Sequence, residues 1–446
     1  MANTIYLVEK AIDEWLTLGK EPDAREIWEI GKLLGITTKK KDIVLSRYND
    51  VFGKFVSKNC VEVNGVKECI YSWNPRYYIK YFPVALHATG TVLLFKKPGE
   101  INVIAYPLHR AIDYGVKFGE MKLPESTDIP DLVTKRVDGW QITAYYDPIL
   151  KKWCFATRYV LHNMYYERGK LVVEEFGTTI NPFVETAEKI AEAMGLYNKF
   201  KGYEGWTFTF VLVGPEPAIT KPPYPMPTRW EEYKLVLIAA RKPDGMLLDY
   251  SKLKDEFSDI PIVETVKPAK LEELVKQAES DFTTRSIFAW FIKDKETPLI
   301  IELKSKYYPE AMNLKYLGDA KSLMILLSEE MTNKVLELVK NTWIEKHISD
   351  VIKAYKKLVD KLISTLQSMS VNDIPILASK LEEVNPKLKG IQSELKKSLR
   401  TGNYKRLIKK LTAIISEGKY IDELPETLSK LCSKIIEFSE IRKSTN

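Results

Sequence analysis

The sequence predicts an α+β protein of three successive units: a small helical unit closed by a β-hairpin, a central unit on a predominantly antiparallel sheet, and an all-α C-terminal unit. Three observations carry this. Helical spacing of apolar residues runs to about residue 58 and gives way to an Asn64-Gly65 turn between alternating residues. Between Thr89 and Lys306 short β-type runs are separated by turn residues. From Asp319 onward apolar residues recur at three- and four-residue spacing, as in Ile352, Tyr355, Leu358, Leu362 and Leu366. The length, 446 residues, exceeds what one core usually serves, and 45% apolar with 28% charged residues describes a globular chain rather than a disordered one.

Several classes are excluded or disfavoured. The longest apolar runs, such as Leu235 to Ala240, are strand-sized, so no membrane segment is expected. No basic stretch followed by an apolar segment opens the chain, and a cytoplasmic protein is the expectation. Gln and His are scarce while Lys, Ile, Tyr and charges of both signs abound, a balance resembling that of hyperthermophile proteins. Net charge is +7, so its distribution matters more than its total.

The first unit, residues 1–75, has helical periodicity over Ile5 to Leu18 and Ala24 to Leu34, the second after a Pro22-Asp23 start signal. A third helix over about Lys41 to Lys58 leads into the hairpin. Three short helices and a hairpin make a winged-helix-like layout. Lys39, Lys40, Lys41 and Arg47 would then lie at or along the third helix, where DNA or RNA phosphates are met; protein docking is the equal alternative. Counted outward from the turn, Cys60 faces Cys69 in a non-hydrogen-bonded pair, close enough for a disulfide. Either a bridge or two reduced thiols fits. No cysteine or histidine spacing suits a metal.

The central unit, residues 89–306, offers strands over 92–95, 102–106, 132–137, 141–146, 153–158, 208–213, 235–240, 288–292 and 299–303, with a helix at 185–194 and a proline-rich loop at 215–227. The last unit, residues 319–446, is helical with breaks near Asp373-Ile374-Pro375, Asn385-Pro386, Gly402 and Gly418. Within it nine cations (Lys387, Lys389, Lys396, Lys397, Arg400, Lys405, Arg406, Lys409 and Lys410) face a single acid, Glu394. Such a run is either a solvated helix face or a phosphate-tracking surface for RNA.

The segment Lys135-Arg136-Val137-Asp138-Gly139, followed by one strand and then a second ending in Thr157-Arg158, resembles the nucleotidyl-transfer motif of ATP-dependent RNA ligases of the phage-type, tRNA-repairing kind. Ile104 to Gly115 is similar to the proline-to-glycine segment preceding that motif. Phe210 to Ile219, Tyr233 to Arg241 with Asp244-Gly245, Ile287 to Ala289, and Leu299 to Lys304 are similar to those that follow it, in family order. The resemblance covers about 200 residues and implies a nucleotidyltransferase fold with ATP and magnesium as cofactors if activity is retained.

The chemistry implied is attack of a deprotonated lysine on the α-phosphate of ATP, with metal and basic groups stabilising the developing charge. Arg136 stands at the nucleophile's position, and a guanidinium stays protonated. Lys135 is the substitute if the protein is active, yet alternation along a strand places it opposite Thr134, Arg136 and Asp138. Val211 stands where the third motif has an acid, Arg285-Ser286 where the fourth has Glu-Gly, and Glu302 where the last has its first lysine, leaving Lys304. The sequence therefore implies a degenerate nucleotide pocket in which Arg136, Arg241, Arg285 and Lys304 form a static anion-binding wall. The expected function is non-catalytic RNA binding on a ligase scaffold, on a structured RNA or RNA–protein particle, with no cofactor and no metal required. The alternatives are an active ligase using Lys135 and a DNA-binding or adaptor protein relying on the first unit.

Overall fold

The computed structural model describes residues 3–74, 82–116, 122–167, 169–214, 229–280 and 287–445. The chain divides into two compact units, residues 1–280 with 285–304, and residues 281–284 with 305–446. No helix among the described residues is long and apolar enough to cross a membrane.

The first unit opens with α1 (Thr4–Leu18), α2 (Ala24–Leu33) and α3 (Lys41–Asp50). Asn3 caps α1 by accepting from the Ile5 and Tyr6 N–H groups, and a capping box between Asp23 and Glu26 starts α2. The third helix is shorter than its periodicity predicts. After Asp50 the backbone widens into a π turn over Val51–Phe55, which contains Gly53, and strand β1 (Val56–Val63) begins where helix is expected to run on. Strand β2 (Val66–Trp73) follows the turn, with Asn64 and Gly65 both at positive φ, as a type I′ hairpin requires. Cys60 pairs with Cys69 in register and their sulfurs are bonded. Glu9 of α1, 2% exposed, accepts from Lys58 Nζ at 2.8 Å and Tyr48 Oη at 3.1 Å, tying α1 and α3 to β1.

The short α4 (Pro83–His87), β3 (Thr89–Lys97) and β4 (Glu100–Ala105) continue this region. β2 pairs with β3, so one antiparallel sheet of order β1-β2-β3-β4 crosses the interval between 75 and 89 where composition suggests a boundary. The hairpin is thus held in a sheet on one side and does not stand out as a free wing.

The remaining strands of this unit are β5 (Ile112–Asp113), β6 (Leu132–Lys135), β7 (Trp140–Asp147), β8 (Lys152–Thr157), β9 (Met164–Glu167), β10 (Lys170–Val173), β11 (Thr207–Val213), β12 (Lys234–Arg241), β13 (Thr265–Val266), β14 (Ile287–Phe291) and β15 (Leu299–Leu303). Helices α5 (Pro182–Ala193), α6 (Leu196–Lys199), α7 (Tyr250–Glu256) and α8 (Leu271–Ser280) are interspersed. Three further sheets result, the β9-β10 hairpin and the two larger sheets β12-β11-β7-β8 and β13-β6-β14-β15-β5. Alternation fixes their faces. Phe208, Phe210 and Leu212 of β11 pack with Val184, Ala187 and Ile190 of α5, and Phe208 stacks on Phe200 at 4.3 Å. Val133, Ala289 and Ile301 of the other sheet pack against Leu271 and Leu274 of α8. The opposite face of this second large sheet carries Thr134 and Glu302, while that of the first is covered, Tyr145, Cys154 and Ala156 packing with Ile70, Val92 and Ala105.

Between β2 and β7 two acids are fully buried. Tyr145 Oη donates to Glu68 Oε1 at 3.1 Å, and Asp147 Oδ1 accepts the Ile149 and Leu150 N–H groups at 2.7 and 3.0 Å. Burial, and then the neighbouring Asp147, hold the Glu68 carboxyl well above the usual carboxylate range.

The second unit contains α9 (Tyr308–Leu317), α10 (Ala320–Ser328), α11 (Thr332–Val339), α12 (Glu345–Ser368), α13 (Ile374–Glu382), α14 (Gln392–Thr401), α15 (Lys405–Ser416) and α16 (Leu424–Thr445). Sequence reasoning missed an internal echo here. Val371-Asn-Asp-Ile-Pro before α13 and Ile421-Asp-Glu-Leu-Pro before α16 are each a 3₁₀ turn with an acid, Asp373 or Glu423, accepting a backbone N–H three residues back. The two helices they start are clamped together by Lys380–Glu437 and Lys434–Glu383, both at 2.5 Å.

Candidate functional site

The cleft is built from residues that alternate along β6 and β15. Val133 turns into the α8 core while Thr134 turns the other way, its hydroxyl accepting from Trp290 Nε1 at 3.0 Å. Lys135 follows Val133 to the outer side, more than half exposed, where its ammonium lies 2.5 Å from Glu264 Oε2. Arg136 follows Thr134 into the cleft. Its guanidinium hydrogen-bonds Glu302 Oε1 and lies 3.3 Å from Asp138 Oδ1. Glu302 sits opposite Phe288 on the cleft face of β15, and Lys304 is two residues further on that face. Lys304 Nζ is 2.8 Å from Asp113 Oδ1 and 3.8 Å from Glu302 Oε2. The parallel pairing of β15 with β5 brings Asp113 beside Glu302.

The result is a run of alternating charge, Asp138–Arg136–Glu302–Lys304–Asp113. Asp138 and Glu302 are only 14% and 13% exposed at the side chain, so these pairs are poorly screened. Asp113 and Glu264 were not singled out by sequence reasoning. Their partners come from pairing between segments about 190 and 130 residues apart, and no local signal reports it.

A polyphosphate needs cations whose charge is unspent, whereas among the described residues Arg136 and Lys304 are each set beside carboxylates. Val211, the residue at the position of the third motif's acid, is buried beside Gly139. Among the described residues no group of three His, Cys, Asp or Glu side chains could hold a metal ion. Gly139 has a packing reason to be glycine: a Cβ there would lie 2.2 Å from the Leu212 carbonyl oxygen.

Arg241 requires a correction. Read from sequence as part of an anion-binding wall, it is 1% exposed and spends its donors on carbonyls: Nε on Tyr106 at 3.0 Å, and NH1 on Gly245 and Glu296, each at 2.6 Å. Its guanidinium also lies 3.7 Å from the Tyr106 ring centre. It joins β12 to the segments on either side. His109, 3.5 Å away, is pushed down to about 3 by burial and by this guanidinium, and is neutral. Arg285 lies outside the described residues.

Beside the charge run, Leu132, Thr134 and Trp290 of one sheet and Ile238 and Ala239 of the other line a mainly apolar cavity of about 300 Å³. None of the five charged residues lines it.

The basic residues read as nucleic-acid contacts separate into two kinds. Lys41 pairs with Glu21 at 2.8 Å. Arg47 donates to the Leu34 carbonyl, pairs with Asp50 and lies over Phe55, so it is committed to the fold. The exposed residues of α3 include Asp42, Ile43, Ser46, Asn49 and Asp50, which give phosphate little attraction. In the second unit Lys387 pairs with Glu417, Lys405 and Lys409 with Glu329, and Arg406 with Glu394. Lys410 donates to the Gly390 carbonyl. Lys39, Lys40, Lys389, Lys396, Lys397 and Arg400 have no ion-pair partner among the described residues.

No protein-family profile matches the sequence, and no curated protein sequence does either. Among solved structures, two forms of an archaeal ATP-dependent RNA ligase overlap at TM-scores of 0.38 and 0.40, with 14% and 12% identity. They cover 66% and 69% of this chain and 68% and 79% of theirs. A Naegleria gruberi RNA ligase mutant with ATP and manganese overlaps at 0.28, with 12% identity, over 59% of this chain and 82% of its own. At such overlaps the case for function rests on the residues of the cleft.

Proposed function

We propose that the protein is a non-catalytic RNA-binding protein built on an RNA ligase-like nucleotidyltransferase scaffold. The observation that carries the loss of catalysis is the ion pair between Arg136 and Glu302. The two positions whose lysines would act in a ligase carry opposite charges and satisfy each other. A lysine nucleophile must shed its proton and meet phosphate; a guanidinium held by a carboxylate does neither. Lys135, paired with Glu264 on the other side of its strand, is poorly placed to replace it.

RNA as the partner is supported by the sequence resemblance and by the distribution of charge. Residues 305–446 hold 25 Lys and Arg against 18 Asp and Glu, which is all of the chain's excess of +7. The winged-helix-like reading of the first unit, with DNA as ligand, is the weaker one, because α3 presents acids and Arg47 is spent internally. An adaptor role for that unit stays compatible with the same face.

Electrophoretic mobility of the full chain with a structured RNA and a DNA duplex of equal length, with and without ATP, tests the proposal. Salt-sensitive RNA retention that ATP leaves unchanged is expected. Retention abolished by ATP, or confined to DNA, contradicts it.

A further inference from the structure

The second unit exposes aromatic side chains where a globular surface usually hides them. Trp343 is 65% and Tyr420 77% exposed, with Leu317 at 51% and Tyr316 at 38% nearby. They are neighbours by construction. The edge of the Trp343 indole rests on Gly318, where a Cβ would come within 2.8 Å of it, and Tyr420 forms an isolated antiparallel bridge with Asp319.

The exposure is fixed by the backbone. Asn341 takes a left-handed conformation (φ 63°), its N–H donates to Glu345 Oε2 at 2.7 Å, and the Thr342 hydroxyl donates to the Val339 carbonyl. Ile344 is fully buried, so Trp343 is held outward between two anchored residues. The Tyr420 N–H is likewise held by Glu423.

The charges around this surface are unequal in availability. Asp319, Glu345 and Glu423 each spend a carboxylate oxygen on a backbone N–H. Lys315, Lys321, Lys340, Lys346 and Lys419 have no ion-pair partner among the described residues, against two exposed acids, Asp422 and Glu423, in the turn that follows Tyr420. Ordered aromatic faces amid uncommitted lysines match an anionic chain with flat rings attached. A second copy or a protein partner would ask for a continuous apolar area, which the interspersed lysines interrupt. A duplex keeps its base faces stacked inside, so the fit is to a single strand.

We propose that Trp343 and Tyr420 form a stacking platform for unpaired RNA bases. This rests on the RNA-binding reading above and names the form of RNA that the second unit takes. Each aromatic then holds one base, and the lysines follow the sugar–phosphate chain.

The test is fluorescence anisotropy of the full chain with a labelled single-stranded oligoribonucleotide and with a duplex of the same length, over a range of salt. Trp343→Ala and Tyr420→Ala should each weaken single-strand binding about tenfold. They should leave the salt slope and duplex binding unchanged, and Trp343→Phe should restore most of the loss. Single-strand affinity unaltered in Trp343→Ala, with wild type binding, overturns the platform and leaves RNA binding standing. A Trp343→Ala variant whose sedimenting mass falls while its RNA affinity holds makes the surface a self-association face instead. Wild type that binds neither RNA at low salt overturns both readings.

Discussion

The cleft of the first unit and the surface of the second use similar residues in opposite ways. Residues 1–304 contain 42 Lys and Arg and 42 Asp and Glu, and the cleft cations are matched one by one: Arg136 to Glu302 and Asp138, Lys304 to Asp113. Residues 305–446 carry the whole net charge and leave Lys396, Lys397 and Arg400 without an ion-pair partner among the described residues. A cation committed to an internal carboxylate contributes order and offers little to a ligand, while one left in solvent contributes little stability and remains available to phosphate. Positive residues therefore mean different things in the two regions.

The largest effect expected from this contrast is on stability. Arg241→Ala strands three buried carbonyls and should cost about 3 kcal/mol or more, read as a lower urea midpoint. Arg406→Ala, at an exposed pair in the second unit, should cost under about 1 kcal/mol. Equal costs would erase the distinction.

Next is the cleft itself. Glu302→Ala removes the main carboxylate partner of Arg136 and should destabilise by about 1–2 kcal/mol, reduced from a fully buried pair because Arg136 is a third exposed. The Arg136→Ala/Glu302→Ala double variant should cost less than the sum of the two single variants, and strict additivity would mean that the pair is not coupled.

On the RNA side, Lys396→Gln with Lys397→Gln and Arg400→Gln should lower the slope of log affinity against log salt by about 2–3. The same change at Lys405, Arg406 and Lys409, which face Glu329 and Glu394, should lower it by about one or less. A reversed order would contradict the division into free and committed cations.

The smallest effect concerns pH. The Glu68 carboxyl is held above its unfolded value, so its contribution is full below about pH 4.5 and is lost as pH rises toward the folded value. Glu68→Gln mimics the protonated form and should flatten this loss, with a melting temperature on the order of 2–4 °C above wild type at alkaline pH. A parallel pH profile for the two proteins would show that Glu68 is already ionised in the fold.

The regular elements were readable because alternation and capping act over a few residues. The Asn64-Gly65 hairpin, the Cys60–Cys69 register and the opposite facing of Lys135 and Arg136 follow from such local rules. The third helix was overextended because apolar spacing alone does not register the π turn at Gly53. The partners of the cleft were not readable. That Lys304 meets Asp113, or that Arg241 is a buried staple rather than an anion ligand, depends on pairing between distant segments. Likewise the basic run in α14 and α15 was seen as one patch, since sequence does not show which lysines face Glu329.

The most direct test is incubation of the full chain with radiolabelled ATP and Mg²⁺ or Mn²⁺, followed by a denaturing gel beside an active ligase. The matched charges at Arg136 and Glu302 predict no covalent label. A label that disappears in Lys135→Ala would contradict the account and restore an adenylylating enzyme with a displaced nucleophile.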